Sequence, residues 1–509
     1  MTRPVDEPVS ADIVVVGGGG SGLAAAIEAA SRGSSVVLLE KNEATGGSTG
    51  WSVGSITATR TPDQKRRGID DNADDHFTDL GLLAGRLVDR DNLALRRLLT
   101  QNVTETVAWL RGHGVEFFGP MPEQPHRQAR MHNVLPTSRA YIYHLTRAAR
   151  RAGVDIRLNT RARRILLDGP AATGIEADTP AGSRRFLARQ AVILAGGDYS
   201  GSSHFKALYG NPALAAVPAI NRTNTGDCQQ MVLDIGGEVL NGDLILGPVL
   251  RFVTPRRRRL FQVVPPWRSL TFLMRMALHH LPAAAIRPLI MRFMTTVMAP
   301  EASLLRDGAM LVGATGARID TSDGPPGLAV AAQPDNTAYL VFDQAIAERY
   351  SRWPHPVSTA PGVAYAYFPD YRRTRPDLVH SAPSLATLAA RTGMAGDVLE
   401  AAASAHRQAR ASSGSDLPPP LARPLFHALG PIQSFIVLTD GGVKVSDDLR
   451  VIVERDRPVE RLFAAGSTGQ GGVLLEGHGH HLGWAFTSGR IAARNATALA
   501  RRIPADADA

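Results

Sequence analysis

The strongest constraint on the fold is a glycine-rich turn near the start of the chain. Asp12–Val16 is a short, β-branched apolar run that predicts a buried strand, and the alanine-rich Leu23–Ser31 predicts a helix. The run GGGGSG at residues 17–22 lies between them, and a second predicted strand, Ser35–Leu39, ends at Glu40. This order of strand, glycine turn, helix, strand and acid predicts a βαβ unit that binds a dinucleotide.

Each part of this unit has a physical role in holding a dinucleotide. Gly17 permits the tight turn, Gly19 lets the backbone approach a pyrophosphate, and Gly22 lets the helix pack closely on the strand. The N-terminus of the helix presents free N–H groups and a partial positive charge to the phosphates. Glu40 is placed to bind the ribose hydroxyls.

The loop after this acid favours a flavin dinucleotide. Gly46, Gly47, Ser48 and Thr49 follow almost at once, where an NAD domain would normally continue into another helix. A Gly-Gly-Ser-Thr loop suits a flavin ring that lies against the backbone. No second such glycine motif follows a later strand, so we expect no NAD(P)H domain; a quinone, a carrier protein or oxygen would then reoxidise the flavin.

The later strands predict a cofactor domain that is split in sequence. Ala191–Leu194 is a buried apolar run closed by Ala-Gly-Gly, Arg461–Ala464 leads into Ala-Gly-Ser, and Leu482–Ala500 predicts a final helix. The predicted fold is therefore α/β, with a Rossmann-like FAD-binding domain and an inserted α+β substrate or cap domain. The predicted boundaries are 8–243 for its first part, 244–429 for the insert and 430–509 for its second part.

The basic balance of the chain does not predict a nucleic-acid partner. Lys plus Arg number 56 against 47 Asp plus Glu, and all but four of the basic residues are arginines spread along the chain. Nucleic-acid proteins usually concentrate such charge on one element, so a codon bias is favoured here. Cys228 is the single cysteine, which excludes an intrachain disulfide and a cysteine cluster, and no metal site is predicted.

The insert leaves a membrane question open. The N-terminus has no apolar signal core and no stretch of about 18 residues lacks charge, so a cytoplasmic protein without a spanning helix is expected. Arg256–Arg259 is a basic run, and Leu270–Met298 is apolar and methionine-rich but interrupted by arginines and prolines. This segment is either cap core or an amphipathic surface that lines an apolar entry path or contacts the inner face of a membrane peripherally.

The chain resembles the fumarate reductase / 3-ketosteroid dehydrogenase group of FAD-dependent flavoproteins. The resemblance rests on VVVGGGGSGLAAAIEA with Glu40, TGGST, AVILAGGDYSG, NTGD, TDGGVKVSDDLRV and RLFAAGSTGQGG, which together span nearly the full length. It implies extended FAD, a mobile cap over the flavin, and chemistry that adds or removes two hydrogens across a C–C bond beside a carbonyl or carboxylate. The predicted cofactor-binding residues are Gly17, Gly19, Gly20, Ser21, Gly22, Glu40, Lys41, Gly46, Gly47, Ser48, Thr49, Ala195, Gly196, Gly197, Asn224, Asp227, Gly466, Ser467, His481 and Leu482.

Departures from the family's pattern bear on attachment and substrate. Ser48 stands where relatives attach FAD covalently to a histidine, so non-covalent FAD is expected. Glu476 stands where fumarate reductases place an arginine that clamps a dicarboxylate, and the segment after Gly316-Ala317-Arg318 lacks their catalytic arginine. A fumarate-like substrate is therefore disfavoured. Leu475 stands where ketosteroid dehydrogenases place their tyrosine base.

The remaining candidate catalytic residues lie in one short segment. Glu476, His478, His480 and His481 fall within six residues that the resemblance places against the flavin, and Gly479 maps to an oxyanion donor. Metal binding and simple capping of the final helix are the structural alternatives. Tyr365 of the cap is a further candidate proton carrier, and Arg130 and His132 lie in a loop that reaches the pocket in relatives.

Three functions follow from the sequence. The leading one is FAD-dependent dehydrogenation or reduction of a C–C bond α,β to a carbonyl, on an apolar steroid- or polyketide-like substrate, since the cap is rich in Met and Phe. An FAD-dependent amine or alcohol oxidase, using the acid and the histidines, is the first alternative. A membrane-docked flavin-binding protein without turnover is the second.

Overall fold

A computed structural model describes residues 7–254, 264–282, 285–288, 291–292, 295, 298–360, 364–412 and 419–500. The Arg256–Arg259 run and several positions of the Leu270–Met298 segment lie outside these described residues. Within them, no helix is both long enough and apolar enough to cross a bilayer.

The described strands are short except where they form the main sheet. In chain order they are β1 Val9–Val16, β2 Val36–Leu39, β3 Ser55–Thr57, β4 Glu116–Met121, β5 Met131–Leu135, β6 Asp155–Arg157, β7 Arg161–Asp168, β8 Ala171–Thr179, β9 Gly182–Leu194, β10 Val239–Leu240, β11 Ile245–Leu246, β12 Val249–Phe252, β13 Met310–Gly313, β14 Ala338–Asp343, β15 Ser358–Ala360, β16 Ala364–Ala366, β17 Val379–Ala382, β18 Phe426–Phe435, β19 Leu438–Thr439, β20 Gly442–Val443, β21 Arg450–Val453 and β22 Arg457–Ala464.

The described α-helices alternate with these strands. In chain order they are α1 Gly20–Ser31, α2 Pro62–Arg66, α3 Ala73–Ala84, α4 Leu93–Gly112, α5 Arg139–Arg151, α6 Ser203–Phe205, α7 Asp227–Leu233, α8 Arg268–His280, α9 Ser303–Arg306, α10 Pro326–Ala331, α11 Gln344–Arg349, α12 Phe368–Thr374, α13 Leu385–Thr392, α14 Gly396–Ser412 and α15 His480–Ala500.

The main sheet has the order β21-β22-β8-β9-β1-β2-β6, with β7 paired to β8. β1 runs parallel to β2 and β9, and β22 runs parallel to β9 with Phe463 opposite Ile193. The final strand therefore completes the sheet from a segment some 270 residues further along the chain. This parallel sheet confirms the predicted α/β fold class, in which the cofactor strands come from both ends of the sequence.

The main sheet is buried because helices cover its apolar strands. Ile13, Val14 and Val15 have no exposed surface, and the first strand therefore reads as a continuous apolar run rather than an alternating one. α1 packs closely against α15. A Cβ added at Gly489 of α15 would lie 2.3 Å from the carbonyl oxygen of Ser21, which is why glycine stands at this crossing.

A second, antiparallel sheet has the order β12-β18-β14-β13, with β17 also paired to β18, and it has its own apolar core. β18 spans residues 426–435 and pairs with β14 at both ends, so residue 430 lies inside a strand of this second sheet. The domain boundaries at 243/244 and 429/430 stay predictions. A small third sheet, β3-β5-β4, lies beside the turn that precedes α15.

Two helices begin earlier than their apolar patterns predicted. α1 begins at Gly20 rather than Leu23, and α15 begins at His480 rather than Leu482. The first turn of each contains glycine or polar residues, which carry no apolar periodicity. The predicted helix pair over Leu385–Arg407 is present as α13 and α14, and Gly393 ends α13 in the left-handed conformation with φ of 75°.

Candidate active site

A cleft opens where β1, β2 and β9 end and α1 begins. The predicted cofactor-binding residues that line it are Gly17, Gly19, Gly20, Ser21, Glu40, Lys41, Gly47, Ser48, Thr49, Ala195, Gly196, Gly197, Asn224, Asp227 and Ser467. The sequence interpretation did not name several further lining residues, among them Thr160, Ala162, Thr223, Cys228 and Ala485. The predicted residues Gly22, Gly46, Gly466, His481 and Leu482 are not part of its lining.

The glycines of the first turn differ in what they face. Gly17 has φ of 106°, and a Cβ there would lie 2.3 Å from the carbonyl oxygen of Ala195. A Cβ at Gly22 would lie 1.8 Å from the carbonyl oxygen of Gly17, so this glycine packs helix on strand instead of facing the cleft. Gly19 is different, because the nearest heavy atom to a Cβ there is 3.9 Å away. Its backbone is therefore open to a ligand at the N-terminus of α1.

Glu40 holds the glycine turn in place. Its carboxylate accepts hydrogen bonds from the backbone N–H of Gly18 at 2.7 Å and from the backbone N–H of Asn42 at 2.9 Å. The side chain is buried at the end of β2. Each carboxylate oxygen can accept more than one hydrogen bond, so these contacts leave acceptor capacity for ribose hydroxyls.

A polar network forms another part of the cleft. Lys41 and Arg161 both pair with Asp227, at 2.9 Å and 2.7 Å, and these pairs hold the pKa of Asp227 below its usual value although burial opposes them. Ser48 Oγ accepts a hydrogen bond from Asn224 Nδ2 at 2.8 Å. The Ser48 hydroxyl therefore belongs to a protein hydrogen-bond network, and position 48 carries no imidazole.

The turn 476–480 is fixed against β3. Gly479 has φ of 89°, and a Cβ there would lie 2.7 Å from the backbone nitrogen of Thr57. The Thr57 hydroxyl donates a hydrogen bond to the carbonyl oxygen of His478 at 2.6 Å. The close approach of two backbones requires glycine at position 479. The turn therefore presents its side chains in fixed directions at the start of α15.

His481 is paired with a carboxylate. Its Nε2 donates to Asp440 Oδ1 at 2.7 Å, and Gln470 Nε2 donates to the same oxygen at 2.8 Å. Burial alone would lower the pKa of His481, but the Asp440 carboxylate outweighs it and raises that pKa above the ordinary histidine value. His481 lies one helical turn before Ala485, which lines the cleft, so both project from one side of α15.

Glu476 and His478 flank this pair with different environments. Burial and the charge of Asp440 raise the pKa of Glu476, although His481 opposes them. His478 Nδ1 lies 2.5 Å from Glu123 Oε1, and the backbone N–H of His478 donates to the same oxygen at 3.0 Å. The Glu123 hydrogen bond raises the pKa of His478 against the effect of burial. Both residues thus favour their protonated forms more than usual.

His480 points the other way, into a cluster of buried histidines. Its Nδ1 donates to the carbonyl oxygen of Glu476 at 2.7 Å, so its Nε2 must accept the hydrogen bond from His76 Nε2 at 3.1 Å. Burial and the neighbouring histidines keep the pKa of His76 and of His480 well below the usual value. The ring of His480 is enclosed by protein and both its nitrogens are engaged, so it is not placed to contact a substrate.

The other end of this cluster is an arginine. Arg130 is fully buried, pairs with Asp71 at 2.7 Å and with Asp79 at 2.5 Å, and donates to His126 Nδ1 at 2.9 Å. Because arginine has only donors, neutral His126 carries its proton on Nε2. The ring centroids of His126 and His480 are 5.3 Å apart. Arg130, whose loop often reaches the pocket in relatives, is here part of the support beneath the turn, and His132 is likewise buried, with its Nε2 3.0 Å from the Thr61 hydroxyl.

Tyr365 lies in β16, which pairs only with β15 among the described strands. Its ring packs against Trp353 with centroids 5.0 Å apart, and its carbonyl oxygen accepts a hydrogen bond from Arg287 at 3.3 Å. Among the described residues, these contacts do not join it to the 476–481 turn.

The structure brings Glu476, His478 and His481 together with Asp440 and Glu123, two acids that the sequence interpretation did not name as site residues.

The sequence segment that supplies most of the cleft residues matches a known cofactor domain. Residues 12–257, just under half of the chain, match the family model described as an FAD binding domain. This segment belongs to the FAD binding domain family. The match ends just after β12 of the second sheet, and it confirms the resemblance to FAD-binding flavoproteins drawn from the motifs. Within the described residues, no group of three or more His, Cys, Asp or Glu side chains is arranged to hold a metal ion.

Curated proteins of known name match part of the chain. The chain is 25% identical to a probable fumarate reductase of Shewanella frigidimarina over 224 residues, 43% of this chain and 37% of that protein. It is 27% identical to the urocanate reductase of Eggerthella lenta over 238 residues, 45% of this chain and 39% of that protein. The chain thus matches about two fifths of the length of these curated relatives.

Solved structures share the fold over nearly the whole chain. The open conformation of a flavocytochrome c3 fumarate reductase has a TM-score of 0.71 at 21% identity, over 97% of this chain and 79% of that one. A 3-ketosteroid Δ1-dehydrogenase from Sterolibacterium denitrificans has a TM-score of 0.63 at 18% identity, over 96% and 99%. These likenesses show a common α/β FAD-binding fold that includes the second sheet.

Proposed function

We propose that this chain is an FAD-dependent oxidoreductase that moves two hydrogens across a C–C bond next to a carbonyl. One observation carries the proposal: Ala485 of α15 lines the dinucleotide cleft, and one turn before it on the same helix stands His481, held by Asp440. A proton carrier beside a flavin is what this chemistry requires. The named relatives, a fumarate reductase and a urocanate reductase, act on such bonds and support the assignment.

The cleft residues fit FAD. The open backbone of Gly19 and the start of α1 would hold the pyrophosphate, and Glu40 would hold the ribose. When bound, the flavin would supply hydride transfer. Ser48 takes part in hydrogen bonds with asparagine side chains, so we propose non-covalent attachment. Acid precipitation of the yellow protein should release all flavin to the supernatant; flavin retained in the pellet would contradict this.

In this proposal, side chains of the protein donate and accept the protons. With Nε2 held by Asp440, the opposite nitrogen of His481 is the one left to hold or deliver a proton. Its raised pKa favours the protonated form, as a general acid requires. Glu476 is the second candidate carrier, since burial favours its protonated form. Gly479 stays the predicted oxyanion donor, and Tyr365 is not part of the proposal.

An apolar carbonyl compound is the proposed substrate. Glu476 stands where dicarboxylate reductases of this family place an arginine, and an acid there disfavours a second carboxylate by repulsion or desolvation. We propose that residues 244–429 serve as the cap over such a substrate, with a quinone, carrier protein or oxygen as electron partner.

Anaerobic titration tests this function. The purified yellow protein is mixed with apolar saturated ketones, and the photoreduced protein with apolar enones, while the flavin absorbance is followed. Dicarboxylates, urocanate, amines and alcohols form the comparison panel. We expect bleaching by the ketones or reoxidation by the enones only. Flavin reduction by amines or alcohols alone would favour an oxidase, and no response to any C–C substrate would overturn the proposal.

A further inference from the structure

One helix presents an unusually apolar face to solvent. On α8 and its flanks, Trp267 is 58% exposed, Phe272 47%, Leu273 62% and Leu281 52%. At about 100° per residue, Arg268, Phe272, Leu273, Met276 and His280 fall on one arc of about 140°. Phe272, Met276 and Leu273 therefore share one side of the helix with Arg268 and His280, and this side is referred to below as the α8 face.

α8 is seated on the protein through positions outside this arc. Thr271 is buried, and Arg275 pairs with Glu116 of β4 at 3.6 Å. The helix is thus held in place by one side. The exposure of the α8 face is a property of a docked helix and not of a detached segment.

The sequence segment that contains α8 is strongly basic. Residues 244–300 contain nine arginines and no lysine, aspartate or glutamate, so this segment carries +9, which equals the formal net charge of the whole chain. Arg275 pairs with Glu116 and Arg287 pairs with Asp370. On the helix itself, Arg268 and His280 are exposed on the α8 face.

We propose that the α8 face binds a lipid bilayer that contains anionic phospholipids. Aromatic and aliphatic side chains enter the headgroup region, and flanking arginines contact anionic headgroups, as in interfacial amphipathic helices. A second copy of the chain is a poorer occupant, because two acid-free basic segments would face each other and repel. α8 lies within the proposed cap, but the inference uses none of the residues proposed to hold the flavin or to transfer protons, so vesicle binding and flavin reduction can fail separately.

Vesicle sedimentation with the full-length, flavin-loaded protein tests the proposal. Vesicles of phosphatidylcholine alone are compared with vesicles that contain about 30% phosphatidylglycerol. We expect binding to the anionic vesicles, weaker binding to neutral ones, and loss of binding when NaCl rises from about 0.1 M to about 1 M. The double variant Phe272→Ser/Leu273→Ser should bind at least about tenfold more weakly.

Matched controls separate this face from general stickiness. Leu208 is 58% exposed elsewhere on the protein, so Leu208→Ser should leave vesicle binding unchanged. Visible flavin absorbance and the thermal melt verify that each variant is folded. The proposal is overturned if the native protein binds no vesicles, if the double variant binds as well as the native chain, or if the double variant, without lipid, turns a dimer into a monomer, which would assign the face to a second copy.

Discussion

His480 and His481 are neighbours in sequence and opposites in environment. His480 is surrounded by other histidines and a buried arginine, and burial with these neighbours lowers its pKa. His481 is partly exposed, and the carboxylate of Asp440, 2.7 Å from its Nε2, raises its pKa. Neighbouring histidines thus have opposite pKa shifts, because the sign of the nearest charge decides which protonation state is kept.

The difference teaches how one turn can serve structure and chemistry together. Successive side chains at the start of a helix diverge by about 100°, so one histidine enters the protein interior while the next faces the cleft side. His480 and its cluster hold the turn, and His481 is free to serve a proton transfer. The experiments below test this division, beginning with the largest expected effect.

Removing the cleft-side histidine should impair catalysis most. We expect His481→Gln to lower the rate of flavin reduction by substrate by about 10²–10⁴-fold, the range for a lost general acid or base. Stopped-flow absorbance under anaerobic conditions measures it. His204→Gln, at an exposed surface position, serves as the control and should leave the rate unchanged. A rate for His481→Gln within twofold of native would contradict the assigned role.

Removing the buried arginine beneath the turn should lower the stability of the fold. Arg130→Gln would leave Asp71 as a buried charge without its ion-pair partner and Asp79 with only the half-exposed Arg127, and we expect a loss of about 3–5 kcal/mol in the free energy of unfolding. The matched control is Arg127→Gln, which removes a half-exposed partner of Asp79 and should cost less than about 1 kcal/mol. Urea denaturation followed by flavin fluorescence measures both. Equal losses would show that burial of the pair is not the source of the effect.

The Asp440 carboxylate should set the pH range of activity. Native His481 has a raised pKa, so it stays protonated to higher pH than an ordinary histidine and loses its proton only above that range. In Asp440→Asn the raising charge is gone, and we expect reoxidation of the reduced flavin by an enone, the direction that takes a proton from the protein, to decline at lower pH than in the native protein. Profiles of the reoxidation rate against pH test this, and coincident alkaline limbs would argue against His481 as the proton donor.

The buried histidine cluster should make stability fall in acid. Folded His76 has a pKa well below the ordinary 6.5, so below about pH 6.5 the unfolded chain binds a proton that the folded chain does not. Stability is therefore full above that pH and is lost as pH falls. We expect His76→Gln to show a smaller decrease in melting temperature between pH 8 and pH 5, by a few degrees. An unchanged or larger decrease would mean that His76 is already protonated in the fold.

The cofactor half of the molecule could be predicted from sequence because its signals are local. The strand, the turn from Gly17 to Gly22, the helix and Glu40 occupy 29 consecutive residues, and Gly22 meets its steric constraint, the carbonyl oxygen of Gly17, within that segment. β22, which completes the main sheet, was also predicted, because the run Arg461–Ala464 ends in apolar residues and precedes a glycine loop. The starts of α1 and α15 were missed because polar and glycine residues occupy their first turns.

The side-chain site could be predicted only in part. Glu476, His478 and His481 were found because they are close in sequence, but their partners come from distant elements: Glu123 is 355 residues from His478, and Asp440 is 41 residues from His481. Nothing local distinguishes a buried histidine from an exposed one, so His480 could not be separated from His481. The one available signal for Asp440 was its place in the TDGG motif, beside two glycines that approach other backbone closely.

The late arrival of β22 has a consequence for biosynthesis. During translation, the edge of β9 emerges some 270 residues before the strand that pairs with it. At about 5–20 residues per second, that gap lasts on the order of 13–54 s, during which an apolar strand edge has no partner. The second sheet, which lies between these two segments in sequence, emerges in that interval. A nascent chain stalled before residue 457 should therefore be a better client for chaperones than the finished protein.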